Sequence, residues 1–284
     1  MKKQPQVVMI TQWNEWTQKR WTVAEGAKKK FLGETVRAGG TYFVDLFNQE
    51  FNRDIAPMLA GHTDNRYYQM VGHIRRFKGV RSPQAAGSPQ TLSMDGLFDD
   101  WAKIMPLYQD YAGDTAHRNW LRSDNAETYK NNSGRNDIIA SKVAYDADHL
   151  YFMAQAQTKL TSHTDPNWML LYIDSDQNKS TGWEGYDYAM NMKVIRSNLT
   201  TVSKFSGGKW ISVGKAKLAY AGDRLEIRVA RNLVAQTGDK IDFDFHWADN
   251  SQKLNDISEF FLNGDSAPDR RFNYRFSTRK FQKR

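Results

Sequence analysis

From about residue 137 onward the chain alternates apolar and polar positions with a period of two, the mark of strands that bury one face. Leu225, Ile227 and Val229 oppose Glu226 and Arg228, and Ile241, Phe243, Phe245 and Trp247 oppose Asp242, Asp244 and His246. The pattern predicts strands over Asp137–Tyr145, His149–Thr158, Asn167–Asp174, Tyr186–Ile195, Thr200–Phe205, Lys209–Val213, Lys215–Tyr220, Arg224–Arg231, Ile241–Ala248 and Arg271–Phe276. Turn signals stand between them at Asp146-Ala147-Asp148, Ser206-Gly207-Gly208 and Ala221-Gly222-Asp223, and only Asn232–Ala235 suggests a helical turn. Many short strands joined by tight turns predict a mainly β fold, an antiparallel β-sandwich or jelly roll.

The first eighty residues follow another pattern. Val7–Ile10 is a short, fully apolar, β-branched run, as expected of a strand buried on both faces. Phe43, Leu46, Phe47, Phe51 and Ile55 recur at spacings of three and four and predict a helix that Pro57 ends. A second stripe through Tyr67, Met70, Val71, Ile74 and Phe77 predicts another helix, closed by Gly79. One doubly buried strand and two helices form no core alone, because such a strand requires parallel neighbours. Residues 1–80 are therefore expected to be the end of a truncated (β/α)8 barrel, that is, of a longer protein. Residues 81–91, rich in Pro, Gly and Ser, read as a linker, and 92–284 as the sandwich domain.

No apolar run is long enough to predict a membrane span. The Val7–Ile10 run is too short for the core of a signal peptide, and none is read here. The net charge of +8 is unevenly placed: residues 1–90 carry 14 Lys and Arg against 7 Asp and Glu, whereas 91–269 carry 19 against 25. A basic head and tail around an acidic body make no continuous phosphate-tracking face, so nucleic acid is not the expected partner. The absence of cysteine excludes disulfides and thiolate chemistry.

Three sets of residues are candidates for chemistry. Asp174, Asp176 and Asn178 at alternate positions, with Asp187 beyond Gly182, offer the oxygen ligands that suit structural Ca²⁺; the alternative is a turn in which the Asp side chains cap backbone N–H groups. Sugars stack their C–H faces on aromatic rings while polar groups hold the hydroxyls. Trp183, in a Gly-flanked polar loop, is the leading candidate ring and Trp120, among Arg118, Asn119 and Arg122, the second. Trp168 is a further aromatic candidate, and Trp101 and Trp247 lie on apolar faces and read as core. In the head, Trp13-Asn14-Glu15-Trp16 follows the expected strand and combines a carboxylate, an amide and two stacking rings at what would be the active-site end of a barrel strand.

Several of these motifs resemble a known family in order. Met94-Asp95-Gly96-Leu97-Phe98-Asp99-Asp100-Trp101, the Ile139–Tyr145 and Leu150–Ala156 hairpin, Leu171–Asp176, Gly182–Tyr188 and Leu225–Arg231 are similar to family 9 carbohydrate-binding modules and their DOMON-like relatives. The resemblance implies a β-sandwich that binds a polysaccharide or oligosaccharide. The head motif resembles the W-N-E-W motif of family 99 glycoside hydrolases, in which two carboxylates three residues apart serve the reaction. Glu15 matches the first, but Gln18 stands at the second, so this chain alone is expected to catalyse nothing unless Glu50 or Asp54 supplies the other acid. Together the resemblances imply the C-terminal module of an extracellular or periplasmic polysaccharide-degrading protein, partnered by its own upstream barrel. The alternatives are a haem-binding DOMON-type electron-transfer sandwich, which would draw its ligands from Met153, Met190, Met192 and His246, and a non-binding spacer.

Overall fold

The computed structural model describes residues 6–10, 20–31, 34–43, 55–57, 63–79, 84–115, 118–121, 128–131, 134–257 and 259–279. The chain divides into two compact units, Met1–Arg81 and Ser82–Arg284. In the first, β1 (Arg20–Thr22) pairs antiparallel with β4 (Thr41–Phe43), and β2 (Lys29–Phe31) with β3 (Glu34–Val36). Helix α1 (Asn65–Lys78) matches the second predicted stripe and ends at Gly79, whose φ of 77° costs a residue without Cβ little. The basic Arg75, Arg76 and Lys78 occupy its last turn, where they complement the helix dipole.

The expected buried strand at Val7–Ile10 is not formed. All four of these residues are exposed and pair with no ladder, since the described part of the unit supplies no parallel neighbour for them. The first predicted helix lies largely outside the described residues, and its opening Phe43 closes β4 instead. Met70, Ile74 and Phe77 of α1 line, with Val8, Ile10 and Ile55, a groove of about 670 Å³.

The second unit is mainly β. It contains β5 (Leu107–Gln109), β6 (Arg118–Leu121), β7 (Thr128–Asn131), β8 (Ile138–Tyr145), β9 (His149–Ala156), β10 (Leu170–Asp174) and β11 (Tyr188–Arg196). It continues through β12 (Leu199–Ser206), β13 (Lys209–Ala221), β14 (Arg224–Ala230), β15 (Asp242–Asp249), the short helix α2 (Glu259–Leu262), β16 (Asp265–Ala267) and β17 (Tyr274–Ser277). Eleven of these strands form one antiparallel sheet in the order β16-β15-β10-β11-β12-β13-β14-β9-β8-β5, with β17 also on β15. Strands β6 and β7 pair separately.

The sheet curls into a sandwich around one core. Phe152 of β9 meets Phe243 and Phe245 of β15 at ring distances of 5.7 and 5.8 Å, although several strands separate β9 from β15 in the sheet. The Trp247 indole N–H donates to Ser141 Oγ of β8, the neighbour of β9, at 3.0 Å, a second link across the core. The inward positions predicted from alternation, Leu225, Ile227, Val229, Phe243, Phe245 and Trp247, are all buried in this core.

Two expectations are corrected. The predicted strands 209–213 and 215–220 are one strand, β13. Val213 is the extra residue of a bulge, since Val202 opposes Gly214 and Ser203 opposes Ser212. A Cβ at Gly214 would lie 2.8 Å from Leu233 Cδ1, so any larger residue there would push the Leu233 side chain aside. Second, the outward face is not simply polar and solvated. Glu226 and His246 are fully buried, and Asp244 nearly so. Part of that face lies under the opening segment, where Leu92, Phe98, Trp101 and Ile104 pack on Ala144, Tyr151 and Met153. Another part carries an aromatic cluster of Tyr172, Trp183, Tyr186 and Phe260.

Of the stretch read as a linker, 81–91, residues 84–91 lie as a strap on the sandwich. Gln90 N–H donates to Tyr145 O at 2.7 Å, Gly87 N–H to Met105 O at 3.0 Å, and Ala86 packs against the core.

Candidate functional site

The acidic loop connects β10 to β11. One carboxylate oxygen from each of Asp174, Asp176 and Asp187 falls within 4.8 Å of the others, so the sequence motif does gather its three acids. Their hydrogen bonds, however, are those of a capped turn. Lys179 Nζ lies 2.8 Å from Asp174 Oδ2 and supplies the positive charge. Asp187 Oδ2 accepts from Ser175 N–H at 2.9 Å and Ser175 Oγ at 2.7 Å. Asp176 accepts from Asn178 N–H at 2.9 Å and from Thr181 Oγ1. Asn178 Oδ1 accepts from Ser180 N–H at 3.0 Å and is spent on the turn. Burial pushes the Asp174 carboxyl up, and the Lys179 ammonium works against that push. Asp174 Oδ1 is buried without a partner, so the loop combines the bonds of a capped turn with one unused carboxylate oxygen.

Trp183 is not the exposed platform expected. The short antiparallel bridge between Trp183 and Tyr186 folds the loop back on itself, and the ring is only 8% exposed. It packs against Tyr172 at 5.5 Å and edge-on to Phe260 at 5.8 Å and Trp210 at 6.1 Å. A polar-loop position therefore misled, because the loop's own aromatic residues form a satellite core. Trp120 lies on β6 opposite Tyr129, and its side chain is outside the described residues. Trp13, Asn14, Glu15, Trp16, Glu50 and Asp54 are likewise outside them. Trp101 and Trp247 are core, as their faces predict.

The residues named for haem ligation are dispersed. Met190 belongs to the main core, Met153 to the cluster beneath the opening segment, and Met192 packs on the aromatic cluster. His246 stacks on Phe260 with ring centroids 4.2 Å apart, and its Nδ1 is 2.9 Å from Phe272 O. Burial holds its imidazole neutral, with the pKa pushed down to about 3.

A cleft of about 490 Å³ opens elsewhere on the sandwich, at the start of β10 and the middle of β11. His163, Asn167, Trp168, Asn191 and Lys193 are among its walls. The backbone there is unusual: Asn167, Met169 and Asn191 all have positive φ, at 50°, 45° and 65°. A left-handed non-glycine residue costs energy, and such residues gather where geometry serves a site. Asn191, 3% exposed, donates from Nδ2 to Met169 O at 2.8 Å. Its Oδ1 has no hydrogen-bond partner, and neither has the Nε1 of Trp168, 1% exposed. Trp168 is held edge-on to Tyr220 at 5.2 Å, and the Tyr220 hydroxyl is 2.7 Å from His163 Nδ1. The residues lining the cleft thus include an indole with an unused donor and an amide with an unused acceptor, both buried behind its surface. The sequence marked Trp168 as an aromatic candidate but gave no sign of Asn191, a polar residue set within an apolar strand.

No protein-family model, curated protein or solved structure matches this chain.

Proposed function

We propose that the unit Ser82–Arg284 is a carbohydrate-binding module and that its sugar site is the cleft beside Trp168 and Asn191. The observation that carries this reading is that two residues lining one cleft, Trp168 and Asn191, each hold a buried polar atom without a partner, Nε1 and Oδ1. Buried polar groups are nearly always hydrogen-bonded, so such a donor and acceptor are suited to a ligand that offers both. A sugar hydroxyl does, since it donates and accepts at once. His163 and Lys193 would extend the polar rim, and the volume falls in the range of about 300–1,000 Å³ usual for small-ligand sites. The β-sandwich and the family 9-like motifs support the same reading. The context they imply is an extracellular or periplasmic polysaccharide-degrading protein.

The test is binding of soluble oligosaccharides to the full chain, screened on a glycan array and measured by calorimetry. Asn191→Gly keeps the positive φ while removing the amide, and it should weaken binding about tenfold, equivalent to about 1.4 kcal/mol. Trp168→Phe, which keeps a ring and removes the donor, should weaken it several-fold. An array with no positive glycan, on protein whose circular dichroism shows an intact sandwich, would overturn the reading in favour of a spacer.

A further inference from the structure

The two ends of the curled sheet meet at a second group of acids, which no contiguous motif marks. Asp110 follows β5, Asp114 follows the turn at Gly113, and Asp137 precedes β8. Asp265 opens β16, and Asp269 lies just beyond that strand. One carboxylate oxygen from each of Asp110, Asp114 and Asp269 lies within 4.8 Å of the others. The same holds for Asp114, Asp137 and Asp265, so Asp114 joins both groups.

What separates this cluster from the acidic loop is its lack of donors. Among the described residues the donors that reach it are backbone N–H groups: Tyr111 to Asp110 Oδ1 at 3.1 Å, Gly113 to Asp137 Oδ2 at 2.7 Å and Ile138 to Asp265 Oδ2 at 2.6 Å. Asp137 is only 5% exposed, yet its Oδ1 has no partner; Asp110 Oδ2 and both oxygens of Asp114 have none either. Among the described residues, none of the five acids takes part in an ion pair. Two buried acids elsewhere are matched by arginines, Asp249 by Arg135 at 2.7 Å and Asp244 by Arg275 at 2.8 Å.

We propose that Asp110, Asp114, Asp137, Asp265 and Asp269 form a calcium site that clamps the ends of the sheet together. Carboxylates close together and partly out of water repel one another strongly unless a cation or protons intervene. Ca²⁺ binds six to eight oxygens at about 2.3–2.6 Å, so two of its ligand oxygens stand at most ~5 Å apart, a spacing met within each of the two groups that Asp114 joins. The donor set is oxygen alone, which suits a hard cation and not zinc or copper. Mg²⁺ demands a near-ideal octahedron and keeps its waters, which a cluster of anionic ligands from separate segments serves less well.

The experiment uses the full chain after treatment with a chelator. Calcium is titrated by calorimetry, and terbium by luminescence sensitised through nearby aromatic rings. The expected result is calcium binding that raises the melting temperature and weakens at least tenfold in Asp114→Asn, while Asp176→Asn, in the acidic loop, binds like the parent. Should Asp114→Asn fail to fold, Asp269→Asn serves the same readout. The proposal is overturned by an intact, chelated chain that takes up no calcium. It is equally overturned by binding lost in Asp176→Asn and retained in Asp114→Asn, or by magnesium competing on equal terms. This site and the sugar cleft share no residue, so either reading can fail while the other stands.

Discussion

The indole N–H of Trp101 donates to Glu226 Oε2 at 2.7 Å, in a contact buried between residues 125 positions apart. Glu226 Oε1 accepts in turn from Gly96 N–H at 3.2 Å. One carboxylate on the outward face of β14 thus anchors the opening segment at two points, and the Trp101 ring fills the space beneath it.

Trp101→Ala should therefore cost about 3–5 kcal/mol, as deletion of a buried aromatic does. Trp101→Phe keeps most of the apolar area but leaves Glu226 one donor short, with a cost of about 1–3 kcal/mol. Urea denaturation of the two variants and the parent measures both differences. A Phe variant as stable as the parent would mean that the hydrogen bond contributes nothing net.

The turn between β8 and β9 predicts a response to acid. Burial alone would raise the Asp146 carboxyl, but donors from Tyr151 Oη, the Asp148 and His149 N–H groups and Thr91 Oγ1 outweigh it and bring the pKa down to about 2. A carboxyl depressed in the folded state stabilises it above the unfolded pKa of about 3.9, and that contribution disappears as the pH falls through the folded value. Asp146→Asn should lower the denaturation midpoint at pH 7, with the gap from the parent narrowing between about pH 4 and pH 2. A gap independent of pH over that window would show that the carboxylate's charge is not what the turn uses.

Trp183→Ala should destabilise the sandwich by about 3–5 kcal/mol, because its ring sits among Tyr172, Tyr186, Trp210 and Phe260. Thermal denaturation checks the loss. A variant with the parent's melting curve but no sugar binding would restore Trp183 as a contact ring.

These residues also show what the sequence makes legible. Leu225, Ile227 and Val229 declare themselves because a strand's inward face repeats every second residue, and the core follows from that repeat. Glu226 between them reads as solvated, since nothing local reveals that a segment 125 residues earlier covers it. The acids behave alike. Asp174, Asp176 and Asn178 stand close in sequence and draw attention, yet Lys179, next in the chain, already supplies their counter-charge. Asp114, Asp137 and Asp265 lie far apart in the chain and come together only when the sheet closes. Asn191 is equally silent, because its unused oxygen is a property of the fold around it.

The strap at residues 84–91 carries a practical consequence for where this protein can be cut. A fragment beginning at Leu92 would lose the bond from Gln90 to Tyr145 and the packing of Ala86, exposing the ends of β8 and the apolar surface that Ala86 covers. A fusion or transplant that preserves the sandwich must begin at or before Gln84, and a protease that nicks within the strap would loosen the domain as well as trim its tail.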